Sequence, residues 1–313
     1  MATSSFTAAG LALPPVAFST WPTNQPASLG FALAFSTCTG FWAMISSTAA
    51  SIAERSVTCF IPCLAATSAG SAPRSGSGLA TVRRFVAEGA KVVVGDLNDE
   101  AGAALADELG ILYVRCDVTS KEAVDAMFAA AKEHFGSVDI AFNNAGISPP
   151  DDDSILDTDL DAWRRVQEVN LTSVYLCCKA ALPYMIEQGK GSIINTASFV
   201  AVMGAATSQI SYSASKGGVL TMTRELGVQF ARQGIRVNAL CPGPVNTPLL
   251  QELFAKDAER AARRLVHIPM GRFGEPEEMA SAVLFLASDD SSFMTASTFL
   301  VDGGISAAYV TPL

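Results

Sequence analysis

The chain has 313 residues, 50% of them hydrophobic, with a formal net charge of -9 and a pI near 4.8. This length suffices for one large α/β domain or two small ones, and the apolar content suffices for a sizeable core. The acidic balance argues against a nucleic-acid surface, because such a surface needs clustered Lys and Arg and the sequence has no basic patch.

Residues 1–75 differ in composition from the rest of the chain. They are rich in Ser, Thr and Ala and hold three charged residues: Glu54, Arg55 and Arg74. So few charges, and the lack of a sustained hydrophobic periodicity of a helix or a strand, are not typical of an enzyme surface. We predict that residues 1–57 form a poorly ordered extension and that residues 58–313 form the catalytic domain.

The extension raises the question of where the protein is located. Its opening is similar to an organelle transit peptide, but such peptides are usually rich in arginine. The apolar run 30–45 is short for a membrane span and lacks basic flanks. We therefore expect a cytoplasmic protein without membrane association, and organelle targeting by residues 1–57 stays open.

The cysteines and histidines argue against several kinds of site. The seven cysteines have no paired metal-site spacing and are predicted to be reduced and structural: Cys38, Cys59, Cys63, Cys116, Cys177, Cys178 and Cys241. Neither His134 nor His267 adjoins a nucleophile-elbow sequence, and G-x-S-x-G does not occur. We therefore expect no metal site and no Ser-His-Asp hydrolase.

From about residue 76, apolar β-branched stretches alternate with longer helical stretches. This alternation predicts one Rossmann-type α/β domain, a doubly wound parallel sheet with right-handed crossovers. Strands are predicted near residues 91–96, 111–116, 138–143, 192–197, 236–240 and 297–301. Helices are predicted near residues 79–88, 99–109, 121–135, 160–187, 211–233 and 276–287. A further strand is needed before residue 79, and the apolar candidate is 59–66, although Pro62 is unsuited to a strand interior.

A dinucleotide site in such a sheet needs a glycine loop between the first strand and the first helix. Gly76 and Gly78 stand directly before the first predicted helix. Asp96 ends the next strand, where a carboxylate can accept hydrogen bonds from an adenosine ribose and disfavour a 2′-phosphate. We therefore predict NAD as the cofactor, with NADP as the alternative because Arg74 lies in the loop. Asp96 also has a purely structural interpretation, as a turn residue before Asn98.

Two tyrosines are followed by a lysine four residues later, a spacing that puts each pair on one helix face. Ser198 lies 14 residues before Tyr212, at the end of an apolar run, whereas the same position before Tyr175 lies in a polar stretch. A nearby ammonium favours a phenolate, so Lys216 is expected to lower the pKa of Tyr212 from its usual ~10. We predict Tyr212 as the general acid/base and Ser198 as the hydrogen-bond partner of the substrate oxygen. Tyr175 and Lys179 are interpreted as helix surface.

Seven segments, in the right order, make residues 76–304 similar to the short-chain dehydrogenase/reductase family. They are Asp117-Val118, Asn143-Asn144-Ala145-Gly146, Asn170, Ser198, Tyr212-x-x-x-Lys216, Pro242-Gly243 with Val245 and Thr247, and Val301-Asp302-Gly303-Gly304. The resemblance implies hydride transfer between a nicotinamide and a carbinol carbon, which interconverts a secondary alcohol and a ketone. It also implies that Asn170 holds a water beside Lys216 and completes the catalytic set with Ser198 and Tyr212.

The resemblance extends the predicted cofactor site and suggests an assembly. The predicted cofactor-binding residues are Gly76, Gly78, Asp96, Asp117, Val118, Asn144, Ala145, Gly146, Tyr212, Lys216, Pro242, Gly243, Val245 and Thr247. Family members commonly pair their two long helices, here 160–187 and 211–233, so a homodimer or homotetramer is expected.

The sequence departs from the family in the glycine loop, where the family has Thr-Gly-x-x-x-Gly-x-Gly. Counting back from Gly78 puts Ser71 and Ala72 at the threonine and first glycine; alternatively, the loop begins at Thr67 and residues 72–75 are inserted. The first glycine is lost in both alignments, and a Cβ there would crowd a tight turn. An alternative function is therefore a dinucleotide-binding or scaffold protein with little or no turnover.

Two further loops border the predicted site. Asp151, Asp152 and Asp153 follow two prolines and are interpreted as a solvated loop. Residues 247–270 are the predicted lid over the substrate pocket. Its apolar side chains favour a secondary alcohol, a sterol-like substrate or an acyl-chain ketone, while Arg263 and Arg264 leave a carboxylate or phosphate substrate open.

Overall fold

A computed structural model describes residues 52–53, 55–60, 76–205, 207–247, 250–251 and 265–308. The chain divides into two units, Met1–Thr39 and Gly40–Leu313, and every described residue belongs to the second. The glycine-loop residues 61–75 lie outside the described residues, as do most of the predicted lid and both of its arginines.

The described residues form a seven-stranded sheet in which every neighbouring pair of strands is parallel. The strands are β1 Ser56–Phe60, β2 Lys91–Asp96, β3 Leu112–Arg115, β4 Ile140–Asn143, β5 Gly191–Thr196, β6 Ile235–Pro242 and β7 Thr298–Val301. Their spatial order is β3-β2-β1-β4-β5-β6-β7. The order reverses between β1 and β4, which is the point where open α/β sheets bind ligands. The predicted doubly wound parallel sheet is confirmed.

Helices connect the strands and end at residues suited to caps. They are α1 Ser77–Ala87, α2 Asp99–Leu109, α3 Lys121–Phe135, α4 Leu160–Gln167, α5 Ser173–Gln188, α6 Ile210–Phe230 and α7 Pro276–Ala287. Before α2 the Asn98 side chain accepts a hydrogen bond from the Ala101 N–H, and Ser120 does the same for α3. Gly110 and Gly136 end these two helices in the left-handed conformation, which suits glycine.

The strands send alternate side chains into two cores, one on each face of the sheet. On β2, Val92 and Val94 join the core that includes buried residues of α1 and α7. Val93 joins the other core, which includes buried residues of α3, α5 and α6. Because both faces are covered, the central strands read as continuous apolar runs.

The first strand differs from its prediction. The predicted candidate, residues 59–66, shares Cys59 and Phe60 with β1, which begins earlier at Ser56. The described part of β1 ends at Phe60 and pairs with both β2 and β4, where a proline would remove a ladder hydrogen bond; Pro62 lies outside the described residues. Ile52 is fully buried in the core with α1 and α7, ahead of the predicted boundary at residue 58. The nature of the residues before it stays a prediction.

The predicted helix over residues 160–187 contains a change of pitch. Between α4 and α5, Glu168–Thr172 forms a π-helical turn, which accommodates an extra residue per turn. Within the described residues, Leu160–Gln188 is the one helix long and apolar enough to cross a membrane. Half of this apolar stretch is buried inside the protein, as in the core helix of a globular fold.

Candidate active site

Ser198 and Tyr212 meet beyond the carboxyl end of β5. Ser198 is buried, and its hydroxyl accepts a hydrogen bond from the Val200 N–H at 3.4 Å at the start of a 3-10 turn, Phe199–Ala201. Tyr212 lies in the first turn of α6, and the Ser198 side chain is close enough to its phenol to act on the phenol's pKa. Two residues that are 14 positions apart in sequence thus lie at one site.

Lys216 follows Tyr212 by one helical turn and is 3% exposed. Its ammonium donates a hydrogen bond of 2.7 Å to the carbonyl oxygen of Thr196, the last residue of β5. Its Nζ lies over the Tyr212 ring, 5.7 Å from the ring centroid. The sheet therefore anchors the lysine, and the lysine places its charge over the ring face.

The expected lowering of the Tyr212 pKa is wrong in this structure. Burial raises the pKa of Tyr212, and the nearby Ser198 side chain opposes that rise only in part. Burial also lowers the pKa of Lys216 to about 8. Both shifts have one cause, because a poorly solvated environment disfavours the charged form of either group. Tyr212 is therefore protonated at neutral pH in this structure.

Asn170 is fully buried in the π-helical turn between α4 and α5. Its Oδ1 accepts a hydrogen bond from the Ile147 N–H at 2.7 Å, and its Nδ2 donates to the Ile147 carbonyl at 2.8 Å. Nδ2 also donates to Ser215 Oγ at 3.1 Å, and Ser215 Oγ donates to the Tyr212 carbonyl at 2.7 Å. Asn170 thus links the loop after β4 to the first turn of α6.

Gly146 packs between Asn170 and Lys216. A Cβ built on Gly146 would lie 3.3 Å from both Asn170 Oδ1 and Lys216 Nζ, closer than ordinary van der Waals contact. The neighbouring Asn144 accepts a hydrogen bond from Thr196 Oγ1 at 3.1 Å, so it is tied to the strand end that also holds Lys216. Asn144, Gly146, Asn170 and Lys216 therefore form one connected cluster, and Ala145 is buried within the same segment.

The predicted adenosine-binding residues lie at the ends of β2 and β3. Asp96 is 6% exposed, and its Oδ1 accepts a hydrogen bond from the Asn98 N–H at 2.8 Å. This bond fits the turn interpretation of Asp96, and the ribose interpretation stays a prediction. Asp117 is exposed and accepts from both the N–H and the hydroxyl of Thr119, while Val118 packs against the core.

The predicted glycines at the two ends of the cofactor site have different surroundings. Gly76 precedes α1 with φ 146°, in a region that favours glycine, and Gly78 is buried in the first turn of α1. A Cβ on Gly243 would come within 2.6 Å of the Asp302 backbone, so Gly243 allows two segments to approach closely.

The remaining predicted cofactor residues follow the end of β6. Pro242 is the last residue of that strand. Val245 forms an isolated parallel bridge with Gly274, and the Thr247 N–H donates to the Val245 carbonyl at 2.8 Å. These bonds hold the backbone between residues 242 and 247.

The interpretation of residues 151–153 as a solvated loop is wrong for the middle residue. Asp151 and Asp153 are exposed, but Asp152 is 5% exposed. Its Oδ1 accepts a hydrogen bond from the Ser211 N–H at 2.9 Å, and its Oδ2 accepts from the Tyr212 N–H at 2.8 Å. Because three acidic residues stand in a row, the sequence does not show which of them accepts hydrogen bonds from α6. The available signal is the poor N-cap residue of α6, Gln209, which implies that the cap comes from elsewhere.

The second tyrosine–lysine pair is exposed, as predicted. Tyr175 is 48% exposed, and Lys179 Nζ donates to its hydroxyl at 3.2 Å. This direct bond joins the lysine and the phenol at the surface. Neither Ser198, nor Asn170, nor a buried strand end contributes to this pair within the described residues. The two pairs have the same spacing in sequence and different environments.

The chain is similar to known oxidoreductases over most of its length. A family model described as "Enoyl-(Acyl carrier protein) reductase" matches residues 70–306. The chain is 44% identical over 238 residues to cis-4-hydroxycyclohexanecarboxylate dehydrogenase of Sinomonas cyclohexanicum, covering 74% of this chain and 93% of that protein. It is 42% identical over 236 residues to 2,5-dichloro-2,5-cyclohexadiene-1,4-diol dehydrogenase of Sphingobium indicum, covering 74% and 94%. The crystal structure of levodione reductase matches with a TM-score of 0.72 and 34% identity, over 82% of this chain and 99% of that one.

Proposed function

The chain belongs to the short-chain dehydrogenase/reductase family, and we propose that Ser198, Tyr212, Lys216 and Asn170 carry out its reaction. The protein is an oxidoreductase that interconverts an alcohol and a ketone, with a small-molecule substrate and a nicotinamide cofactor. The alternative of a scaffold with little turnover has no support from the two dehydrogenases compared above.

In this proposal Tyr212 moves the proton. Its phenolate takes the hydroxyl proton during oxidation, and its phenol returns the proton to the carbonyl oxygen during reduction. Ser198 hydrogen-bonds the same substrate oxygen as charge develops on it. The observation that carries the proposal is that Ser198 lies close enough to the Tyr212 phenol to act on its pKa, which brings both side chains to one position for that oxygen.

Lys216 and Asn170 support the proton transfer. The Lys216 ammonium lies over the ring of Tyr212, where its charge stabilises the phenolate that burial alone disfavours. Asn170 is linked to α6 through Ser215, and it would hold a water beside Lys216, as the family resemblance implies. A proton taken up by Tyr212 thus has a route away from the substrate.

The residues fit a nicotinamide dinucleotide, which supplies or accepts the hydride when bound. Gly146 is the observation that supports the fit, because a side chain there would fill the space beside Asn170 and Lys216. The segment from Pro242 to Thr247 would hold the nicotinamide end. Gly76 and Gly78 would face the pyrophosphate, and Asp117 and Val118 the adenine. Asp96 would bind the adenosine ribose, so we propose NAD as the preferred cofactor.

We propose a cyclic secondary alcohol as the substrate. Two similar proteins are named for substrates with a hydroxylated six-membered carbon ring. In this chain the turn after Ser198 leads into two exposed apolar side chains, Val202 at 43% and Met203 at 38% exposure. Apolar groups that follow Ser198 by four and five residues suit a ring with few charges more than a highly charged substrate.

The assembly and the location of the protein are further parts of the proposal. Tyr175 and Ile186 on α5 and Val228 on α6 are large exposed apolar side chains on the two long helices. Pairing of these helices in a homodimer or homotetramer would cover them. Light scattering should give a mass of at least twice 32.6 kDa, and a strict monomer at micromolar concentration would contradict this part. A cytoplasmic location stays a prediction.

A substrate screen tests the reaction. The purified protein is mixed with cyclohexanols, linear secondary alcohols and primary alcohols, each with NAD or NADP, and reduced nicotinamide is measured by its absorbance. We expect turnover with cyclic secondary alcohols and little with primary alcohols. Failure to oxidise any secondary alcohol, together with failure to reduce the matching ketones, would contradict the proposed reaction.

A further inference from the structure

The first turn of α6 is not capped by its own sequence. The N–H groups in the first turn of a helix have no intrahelical acceptor and need one from elsewhere. Gln209, the N-cap residue, makes no side-chain cap bond within the described residues. By contrast, α2, α3 and α4 are capped locally by Asn98, Ser120 and Asp159.

A distant loop supplies the missing acceptors. The Asp152 carboxylate accepts hydrogen bonds from the Ser211 N–H at 2.9 Å and from the Tyr212 N–H at 2.8 Å, one on each oxygen. The Asp153 carbonyl accepts from the Ile210 N–H at 3.1 Å. The carboxylate of Asp152 is nearly fully buried at the positive end of the α6 dipole, where a negative charge is stabilised.

The same loop also contacts the rest of the proposed catalytic set. The two backbone groups of Ile147 bond the side-chain amide of Asn170. Gly146 lies against both Asn170 and Lys216. Residues 146–152 therefore contact Asn170, Lys216 and the backbone of Tyr212.

We propose that Asp152 is a positioning residue that fixes the direction of the Tyr212 side chain. A carboxylate that binds two successive N–H groups fixes both the position and the rotation of the helical turn that carries them. The phenol oxygen lies at the far end of the Tyr212 side chain, so a small rotation of that turn moves the oxygen away from Ser198 and the substrate. Proton transfer requires these groups within hydrogen-bond reach. This inference rests on the proposed role of Tyr212.

The test compares three substitutions at one temperature well below their unfolding midpoints. Asp152→Ala removes both acceptors and is expected to lower kcat by about ten- to a hundredfold, as expected for a misplaced catalytic group. Asp152→Asn keeps the shape and one acceptor, so its kcat should lie between those of Asp152→Ala and the wild type. Asp159→Ala removes a bond of the same kind from α4, which carries no proposed proton-transfer residue, and should leave kcat within about twofold.

Two further readouts separate positioning from a general loss of structure. The Kd for NADH, measured by fluorescence, should change less than about threefold in Asp152→Asn, because most of the proposed cofactor residues, including Gly76, Gly78 and Asp96, lie on other segments. The solvent deuterium isotope effect on kcat should rise in both Asp152 variants, because the proton-transfer step becomes slower. An Asp152 residue with a purely structural role would lower the unfolding midpoint and leave that isotope effect unchanged.

Tyr212→Phe distinguishes failure of this inference from failure of the proposed function. If Tyr212→Phe is inactive while folded Asp152→Asn and Asp152→Ala keep wild-type kcat and isotope effect, the positioning role of Asp152 is overturned and the function stands. If Tyr212→Phe keeps wild-type kcat, the proposed function itself is overturned. If Asp152→Ala does not fold, Asp152→Asn decides: wild-type kcat overturns the inference, and a lowered kcat with a raised isotope effect supports it.

Discussion

The Lys216 ammonium lies over the face of the Tyr212 ring, with Nζ 5.7 Å from the ring centroid. Burial raises the pKa of the phenol and lowers that of the lysine to about 8. Below that pH the pair is therefore fully protonated, as a phenol and an ammonium. Loss of the first proton leaves either phenol with amine or phenolate with ammonium. These are two forms of the same pair, and the second is the form that accepts a proton from an alcohol.

The first prediction is a pH dependence that differs between the two directions of the reaction. Oxidation needs the pair with one proton removed, so its kcat/KM should rise with pH and level off near the Lys216 pKa of about 8. Reduction needs a protonated Tyr212 and should fall, or stay level, over the same range. The measurement is kcat/KM in both directions from about pH 6 to about pH 9. An oxidation rate that falls as pH rises toward 8 would contradict this coupling.

The second prediction concerns stability and the buried charge of Lys216. Its pKa is lowered from 10.5 to about 8 in the folded protein, so the unfolded chain binds more protons between these pH values. Stability contributed by this group should therefore rise with pH across that window. The free energy of unfolding of the wild type, relative to Lys216→Met, should increase by roughly 2 to 3 kcal/mol from about pH 7 to about pH 10. Urea unfolding at both pH values measures it.

Lys179→Met is the matched control, because Lys179 stands at the same spacing from an exposed tyrosine. Its difference from the wild type should change little with pH. A Lys216→Met difference that is equally insensitive to pH would show that the ammonium of Lys216 is well solvated.

The third prediction tests the close packing of Gly146. Gly146→Ala places a methyl group 3.3 Å from Asn170 Oδ1 and Lys216 Nζ, so one of these groups must move by a few tenths of an ångström. We expect a loss of about tenfold or more in kcat/KM from such a displacement. Gly217 is next to Lys216 in sequence, but a methyl group added there meets no atom within 4 Å. Gly217→Ala should therefore keep activity while stabilising α6 by about 0.5–1 kcal/mol. Equal activity of both variants would contradict the packing argument.

The fourth prediction concerns cofactor choice. Asp96→Ala should narrow or reverse the ratio of kcat/KM for NAD over NADP, because a carboxylate repels a 2′-phosphate. Two unit charges about 4 Å apart interact by roughly 4 kcal/mol at an effective dielectric constant of about 20, an upper value for exposed groups. Arg74→Ala should change the ratio little. A wild-type preference for NADP that disappears in Arg74→Ala would show that the loop, and not Asp96, selects the cofactor.

Helix boundaries were predictable where the signals are local. The predicted bounds of α2, α3 and α7 agree with the structure. Asn98 and Ser120 begin two of these helices, Gly110 and Gly136 end them, and Pro276 starts the third. Each of these residues acts on backbone groups within a few positions of itself, so its effect can be inferred from the sequence.

The parts of the site that could not be predicted depend on contacts between distant segments. Asp152 caps a helix that begins 58 residues later, and nothing in a run of three acids marks the middle one. The Thr196 carbonyl that anchors Lys216 is a backbone group, which any residue would supply. The spacing of Tyr212 and Lys216 predicts their shared helix face but not their depth, and depth decides the sign of the Tyr212 pKa shift.

The fifth prediction tests the role of Tyr212 with the second tyrosine as control. Tyr212→Phe removes the hydroxyl and little volume, so cofactor binding should remain while kcat falls by about a hundredfold or more. Tyr175→Phe makes the same change in an exposed pair with the same spacing to a lysine and should leave kcat within about twofold. The measurement is kcat of both variants with a cyclic secondary alcohol, together with the Kd of NADH. A Tyr212→Phe enzyme that keeps more than about a tenth of wild-type kcat would contradict general acid/base catalysis by Tyr212.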